Sequence, residues 1–362
     1  MASRNGSSAR RGGIAIAAGC GVVDSLCSRH HRSRPSSRCR GVRPSACVRR
    51  HKPLHVNRRR HIPRRHGRPD FVPLVGSSSP CAGTLERNEQ LLGVFVSLVE
   101  LDERSHVLWN RKGRFHHDLD VASNCDIYAL AWEAEVVPKV HATQPTLIDY
   151  LVVLTPKGLI KRKVSLFDVL RRSPYAFLFP SIQDLHVDGP NRELDLIHSN
   201  HVEVIGDGAP FPPGSVLLGM RNINATLVLA PSLDRILWLW GPSNLTFPHD
   251  PTLLPNGNIL IFDNGTEQSQ IIEMNPQTNS IVWRFAPRSG FFSAARGSVQ
   301  RLPNGNTLIT ESDRGNAFEV TRRGRVVWRF ENPDVGPNGL RGAILRMTRF
   351  APDQLPFLQS RR

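Results

Sequence analysis

Past residue 90 the apolar residues of this chain come in short runs broken by turn chemistry, a spacing that suits strands and not helices. Ile259 to Phe262, Gln270 to Met274 and Ser280 to Phe285 are each of strand length and rich in β-formers. Asn256-Gly257 tolerates the positive φ of a tight hairpin, and Pro276-Gln277-Thr278-Asn279 marks the next reversal. The same order then returns. Leu254-Pro255-Asn256-Gly257-Asn258 recurs 48 residues later as Leu302-Pro303-Asn304-Gly305-Asn306, and Val282-Trp283-Arg284-Phe285 recurs as Val327-Trp328-Arg329-Phe330. Trp238, Trp283 and Trp328 stand 45 residues apart. Four strands repeated at that period make a propeller blade, because radial repetition protects strand edges that an open sheet would expose. The expected fold is all-β, a β-propeller of about five or six four-stranded blades over residues 90–350, with the recurrent Trp on the fourth strand packed between blades.

The pattern extends upstream in weaker form. His117-Asp118 followed by Asn124-Cys125-Asp126 and Ile127 to Leu130 aligns on His249-Asp250, Asn256-Gly257-Asn258 and Ile259 to Phe262, with Cys125 in place of the turn glycine. Further strands fit Leu151 to Leu154, Leu159 to Val164, Val216 to Leu218, Thr226 to Leu229 and Ile236 to Trp240, so four blades begin near residues 117, 198, 249 and 297. Before them Val94 to Val99 and Val107 to Trp109 supply two strands of a further blade. Ala343 to Phe350 is the candidate to add its missing strands and close the ring. Leu166 to Arg171 reads as helical and Pro174 to Pro190 as an irregular insertion, the kind of loop that carries substrate contacts.

Charge changes the picture only at the N-terminus. The formal net charge is +16, but Met1 to Arg68 hold 17 Arg and one Lys against a single acid, Asp24, so the remainder is close to neutral. Residues 1–75 are expected to be a disordered Arg-rich tail, since runs such as Arg58, Arg59 and Arg60 repel one another and bring little apolar surface to bury. A nucleic-acid arm is disfavoured because no aromatic residue interleaves with the Arg for stacking, and the neutral folded part offers no nucleic-acid surface. Two other readings of the tail are a degenerate export signal, from Arg10-Arg11 before Ile14 to Ala18 and Cys20, and a mispredicted gene start. No segment has the roughly 20 apolar residues that a transmembrane helix needs. The six cysteines show no CxxC spacing, so neither a zinc site nor a disulfide framework is expected.

The candidate chemistry lies where the blades converge. The first strand of a blade lines the central channel, and three blades place a histidine at its start: His117, His198 and His249. The fourth has Gly297 there. Arg221 closes Val216 to Met220 at the same end and should approach His198. A single histidine of this kind is ordinarily structural, but three at matching positions with an arginine suit an oxyanion. A three-histidine zinc site is the rival reading, disfavoured because an adjacent guanidinium opposes a dication.

Taken in order, His117-Asp118, His198-Ser199-Asn200, Met220-Arg221-Asn222, His249-Asp250 and Phe262-Asp263-Asn264-Gly265 resemble the successive motifs of the arylsulfate sulfotransferases, with similarity over about residues 90 to 350. What the resemblance implies is ping-pong transfer of a sulfonate from an aryl sulfate to a phenol through a sulfated histidine, with no nucleotide donor, no cofactor and no metal. His249 would be the nucleophile, with Arg221, His198 and His117 gripping the sulfonate oxygens and Asn200, Asn264 and Asp250 binding substrate. The partners implied are a small aryl sulfate and a phenol, and the location implied is periplasmic or otherwise exported, although the divergent N-terminus shows no clear signal. The chain is shorter than better-known members, and His116 and His201 flank the motif histidines, so registers can slip by one to three residues. Two alternatives stay open: a noncatalytic propeller that binds a small anion or a protein, and a quinone-type oxidoreductase, for which the usual cofactor contacts are missing. The sequence leaves the oligomeric state open.

Overall fold

Burial along the strands dictates how they must be arranged. Ile259–Asp263, Thr307–Glu311 and Val216–Met220 are buried along their whole length, whereas Val326–Glu331 and Ser280–Phe285 alternate between exposed and partly buried positions. Strands covered on both faces need a neighbouring sheet on each side, which blades stacked around an axis supply. The computed structural model describes residues 14–16, 91–94, 97–101, 106–180, 186–188, 192–337 and 339–350. All of these belong to one of the two compact units of the chain, Met1–Cys20 with Pro69–Arg362. The expected tail over residues 1–75 lies outside the described residues, apart from the short strand Ile14–Ile16.

Among the described residues five sheets of a β-propeller follow one another along the chain. The first blade comprises Leu91–Val94, Ser97–Leu101 and Val107–Lys112. The second comprises Phe115–Val121, Ile127–Glu135, Thr146–Leu154 and Ile160–Ser165. The third runs Ser199–Val204, Val216–Met220, Ala225–Leu229 and Ile236–Trp240. The fourth runs His249–Leu253, Ile259–Asp263, Gln270–Asn275 and Ser280–Phe285. The fifth runs Ser298–Arg301, Thr307–Glu311, Asn316–Val320 and Val326–Glu331. Each of these last three is an antiparallel meander.

Four expectations need correction. The first blade has three described strands and not two, because the run Val94 to Val99 turns back on itself and pairs Val94 with Leu98. The insertion after the helix Leu166–Arg171 is partly regular. Thr146–Leu154 is longer than its partner Ile160–Ser165, and the edge left at Thr146 and Leu147 takes up Glu193–Asp195 in parallel, which pairs in turn with His186–Asp188. Met347–Arg349 pairs with Ile14–Ile16 and not with the first blade. Gln300 draws it to the fifth blade, accepting from Arg349 N at 2.8 Å and donating to Arg349 O at 3.0 Å. Finally, Cys125 is disulfide-bonded. Its φ of +68° matches those of Gly257 (+81°) and Gly305 (+82°), so it occupies the turn-glycine position of its blade.

The recurrent motifs hold blades together. Trp109 Nε1 donates to Pro156 O at 3.1 Å, Trp238 Nε1 to Asn279 Oδ1 at 3.0 Å and Trp283 Nε1 to Arg322 O at 2.7 Å, each bond crossing to the last hairpin of the next blade. Asn256 and Asn258 both donate to Glu273 Oε1, and Asn304 and Asn306 repeat this on Glu319. Glu273 then takes Arg301 and Arg322 from the fifth blade at 2.8 and 2.6 Å.

At the centre of the ring three innermost strands meet the C-terminal segment. Counted from Val121, Val204 and Leu253, which pair with the first residues of the second strands, the third residue inward is Asp118, His201 and Asp250 respectively. His201 Nδ1 lies 2.9 Å from Asp118 and 3.4 Å from Asp250, and Arg346 bridges Asp118 at 3.1 Å and Asp250 at 3.0 Å. The carboxylates also cap neighbouring strands, Asp250 accepting from Val299 N at 2.8 Å and Asp118 from Val202 N at 3.4 Å. Burial alone would lower the pKa of His201, but its hydrogen bonds to Asp118, Asp250 and Glu203 and the charge of Asp118 raise it well above the imidazole range. Burial would raise Asp118 and Asp250, yet Arg346 and His201 hold both below the usual carboxylate value.

Arg346→Met leaves two buried carboxylates with one cation. It should cost about 3 kcal/mol in denaturant unfolding, at the low end for a buried pair because the guanidinium keeps 25% exposure. His201, charged in the fold, contributes stability that is fully present below the ordinary imidazole pKa and is lost as pH rises through its raised folded value. Stability followed from pH 6 upward should decline, and His201→Gln should flatten that decline.

Candidate active site

The candidate residues stand at irregularities of the innermost strands. Pairing shifts register between Phe115 and Leu119, between Ser199 and His201, and between His249 and Thr252. Such bulges re-aim side chains. His117 (φ +55°) and His198 (φ +52°) are left-handed, a conformation a non-glycine residue holds only where its surroundings enforce it. In the fourth blade the left-handed residue is Asp250 (φ +50°) and not His249. Counted as above, Asn200 and not His198 is in register with His117 and His249, so the expected equivalence of the three histidines fails by two residues. The left-handed turn brings the His198 ring back to the same place: His198 Nε2 lies 3.1 Å from His117 Nε2. Gly297 supplies no fourth histidine because a Cβ there would stand 2.5 Å from the Phe262 ring.

Four further contacts complete the cluster. Arg221 N donates to His198 O at 3.1 Å, and its guanidinium lies 4.5 Å above the Phe247 ring. Phe247 is itself left-handed (φ +54°), and its carbonyl lies 3.0 Å from His249 Nδ1. Asn264 Oδ1 lies 2.7 Å from the same nitrogen. Asn264 Nδ2 donates to Ser293 O (2.5 Å) and Arg296 O (2.9 Å), so Oδ1 must be the acceptor. His249 therefore carries its proton on Nδ1, and Nε2 keeps the lone pair.

The remaining predicted positions have defined partners. Asn200 Nδ2 donates to Pro248 O at 2.8 Å, tying the third blade to the fourth. Asp250 faces the central ion cluster. Asn264 orients His249. Sequence reasoning missed Asp195, Asp149, Trp132 and Phe247. Asp195 Oδ2 lies 2.5 Å from His198 Nδ1, delivered there by the strand Glu193–Asp195. His116, noted only as a neighbour of the motif histidine, has Nδ1 2.8 Å from His117 Nδ1 and stacks on Trp132 at 4.4 Å. No repeat marks Asp195, because among the described residues only the second blade carries the added strand that delivers it.

The electrostatics favour neutral imidazoles. Burial lowers the pKa of His249 to about 4, with the charges of His198 and Arg221 adding to the effect against the opposing pull of the Phe247 carbonyl and Asn264. Burial pushes His117 well below its ordinary value, reinforced by His198, His116, His249 and Arg221. Burial takes His116 to about 3, again with His198 contributing. A neutral, oriented imidazole beside a guanidinium can act as a nucleophile toward an anionic centre, while the guanidinium holds its oxygens. Among the described residues no group of three or more His, Cys, Asp or Glu side chains converges as metal ligands.

The profile of the arylsulfotransferase (ASST) family matches residues 151–333, half of the chain, which include His198, Asn200, Arg221, His249, Asp250 and Asn264 but stop short of His117. No curated protein matches the chain. Among solved structures, virginiamycin B lyase from Staphylococcus aureus shares 11% identity over 69% of this chain and 68% of its own, at a TM-score of 0.42. A protein of unknown function from Bacteroides caccae shares 11% over 68% and 73% at 0.40, and the Dos1 propeller shares 10% over 69% and 57% at 0.40. The order of the histidine and arginine motifs and the profile match over half the sequence agree: this chain belongs to the arylsulfotransferase family.

Proposed function

We propose that the protein transfers a sulfonate from an aryl sulfate to a phenol in two steps through a sulfated His249. The observation that carries the reading is the fixed tautomer of His249, whose Nδ1 is held by Asn264 and Phe247 so that the lone pair stays on Nε2, on a ring that feels the charges of His198 and Arg221. In the first step Nε2 bonds to sulfur as the aryl S–O bond breaks, and the electron pair leaves on the phenolate oxygen. In the second the acceptor phenol oxygen attacks the same sulfur, loses its proton, and the N–S pair returns to Nε2. Arg221, whose guanidinium lies over Phe247 and donates from one Nη to Asn222 Oδ1 at 2.8 Å, offers its remaining N–H groups to the equatorial oxygens, where charge accumulates. The His117–His198 pair protonates the leaving phenolate and later takes the acceptor's proton. Asn264 is a positioning residue.

Export to an oxidising compartment is part of the proposal, supported by the disulfide-bonded Cys125, since such bonds persist outside reducing cytoplasm. No helix among the described residues is long and apolar enough to cross a membrane.

Purified protein given para-nitrophenyl sulfate should release at most about one equivalent of coloured phenol alone and turn over continuously only when a phenolic acceptor is present, and His249→Ala should lose at least about a hundredfold of that rate. No release by intact folded protein would favour a noncatalytic binder. Since His249 attacks as the neutral base, kcat/KM should be level near neutrality and fall as pH drops through about 4, where Nε2 takes up a proton.

A further inference from the structure

Behind the candidate site a row of titratable side chains runs from the His117–His198 pair to two groups that the transfer as described does not use, His116 and Asp149. Asp195 Oδ2 lies 2.5 Å from His198 Nδ1; His198 Nε2 lies 3.1 Å from His117 Nε2; His117 Nδ1 lies 2.8 Å from His116 Nδ1; and His116 Nε2 lies 3.7 Å from Asp149 Oδ1. Every link but the last is within hydrogen-bond reach, and at the last joint His116 Nε2 and Asp149 Oδ2 are both buried without a hydrogen-bond partner. Asp149 Oδ1 is already held by Ser199, through its N–H at 2.9 Å and its hydroxyl.

Resting on the reading above, we infer that Asp149 is the proton store of the reaction, connected to the leaving phenolate through His116 and His117, while Asp195 positions His198. A neutral imidazole has one N–H, so the anchor at one end fixes all the rest. The relay takes His198 as a neutral imidazole, so that Asp195 accepts from its Nδ1 and its Nε2 is left an acceptor. His117 must then donate from Nε2 and accept at Nδ1, and His116 must donate from Nδ1 and keep a lone pair on Nε2, facing Asp149. When the phenolate oxygen displaces His198 Nε2 as acceptor of the His117 Nε2 proton and takes it, the proton of His116 Nδ1 moves to His117 Nδ1 and, as His116 and Asp149 close their 3.7 Å gap, the carboxyl proton of Asp149 moves to His116 Nε2. Three neutral imidazoles and one carboxylate remain, so no imidazolate forms. The acceptor phenol reverses each move and reprotonates Asp149. Burial, with Asp195 adding its charge, raises Asp149 to about 7, which keeps it protonated near neutrality and able to release that proton. Groups facing the row are Arg114, whose guanidinium lies 5.6 Å from the Trp132 ring that stacks on His116, and Arg221 and His249 on the side of His117.

Two measurements test this. Asp149→Asn, which keeps an acceptor for Ser199, and His116→Phe, which keeps the stack on Trp132, are assayed with para-nitrophenyl sulfate and with phenyl sulfate. The first phenolate is a good leaving group and needs little protonation; the second needs it. Both variants should lose about tenfold more rate on phenyl sulfate than on para-nitrophenyl sulfate, and the rise and fall of kcat around pH 7 on phenyl sulfate should vanish. Equal losses on both donors would overturn the relay. Nitrogen NMR of histidine-labelled protein reads the tautomers without turnover: Nδ1–H on His198, Nε2–H on His117 and Nδ1–H on His116 are expected. Any other pattern would overturn the relay even in an active enzyme. Wild-type protein that shows these tautomers but releases no phenol would remove the transferase reading and leave the wire standing.

Discussion

Two carboxylates buried side by side at the axis of a propeller are unstable by themselves, and most of this architecture depends on the cations placed between them. Asp118 comes from the second blade, His201 from the third, Asp250 from the fourth and Arg346 from the segment after the fifth. Removing an ion from water costs several kcal/mol, so the cluster is tolerable only when all four members are in place. That requirement couples ends of the chain 228 residues apart. It also fixes the strand starts, because Asp118 and Asp250 spend their second acceptor sites on backbone N–H groups of neighbouring blades.

The site borrows its rigidity from this hub. His117 and His249 directly precede Asp118 and Asp250, so locking the carboxylates locks the backbone that carries the imidazoles. Asn200 sits next to His201 and ties its strand to Pro248. The left-handed backbone at His117, His198, Phe247 and Asp250 is then held by contacts on both sides, which is how strain persists where chemistry needs a side chain aimed away from its strand. Charge separation completes the arrangement: the protonated imidazole of His201 is in the hub, among carboxylates, while the imidazoles facing Arg221 are neutral.

Differences between blades mark where function was added to the repeat. The fourth and fifth blades keep the Asn-Gly-Asn turn with its glutamate grip and differ little from one another. The second blade alone carries an extra parallel strand, and that strand brings Asp195 to His198.

The blades were legible in the sequence because alternation, Asn-Gly turns and the recurrent Trp are local signals repeated at a fixed period, and repetition turns weak local evidence into strong evidence. His117 and His249 were legible for the same reason, standing at matching points of repeated units, whereas His198 stands two residues out of that register and Arg221 follows the end of a second strand. The role of His201, the ion pairs of Arg346, the approach of Asp195 and the split of Val94 to Val99 were not legible. Each depends on a bulge, a left-handed residue or a contact across many blades, and a shift of one residue in a strand sends its side chain to the opposite face. The sequence determined which residues could meet at the axis; only the packing of the blades against the C-terminal segment decided which of them became a buried ion cluster and that His249 stayed neutral.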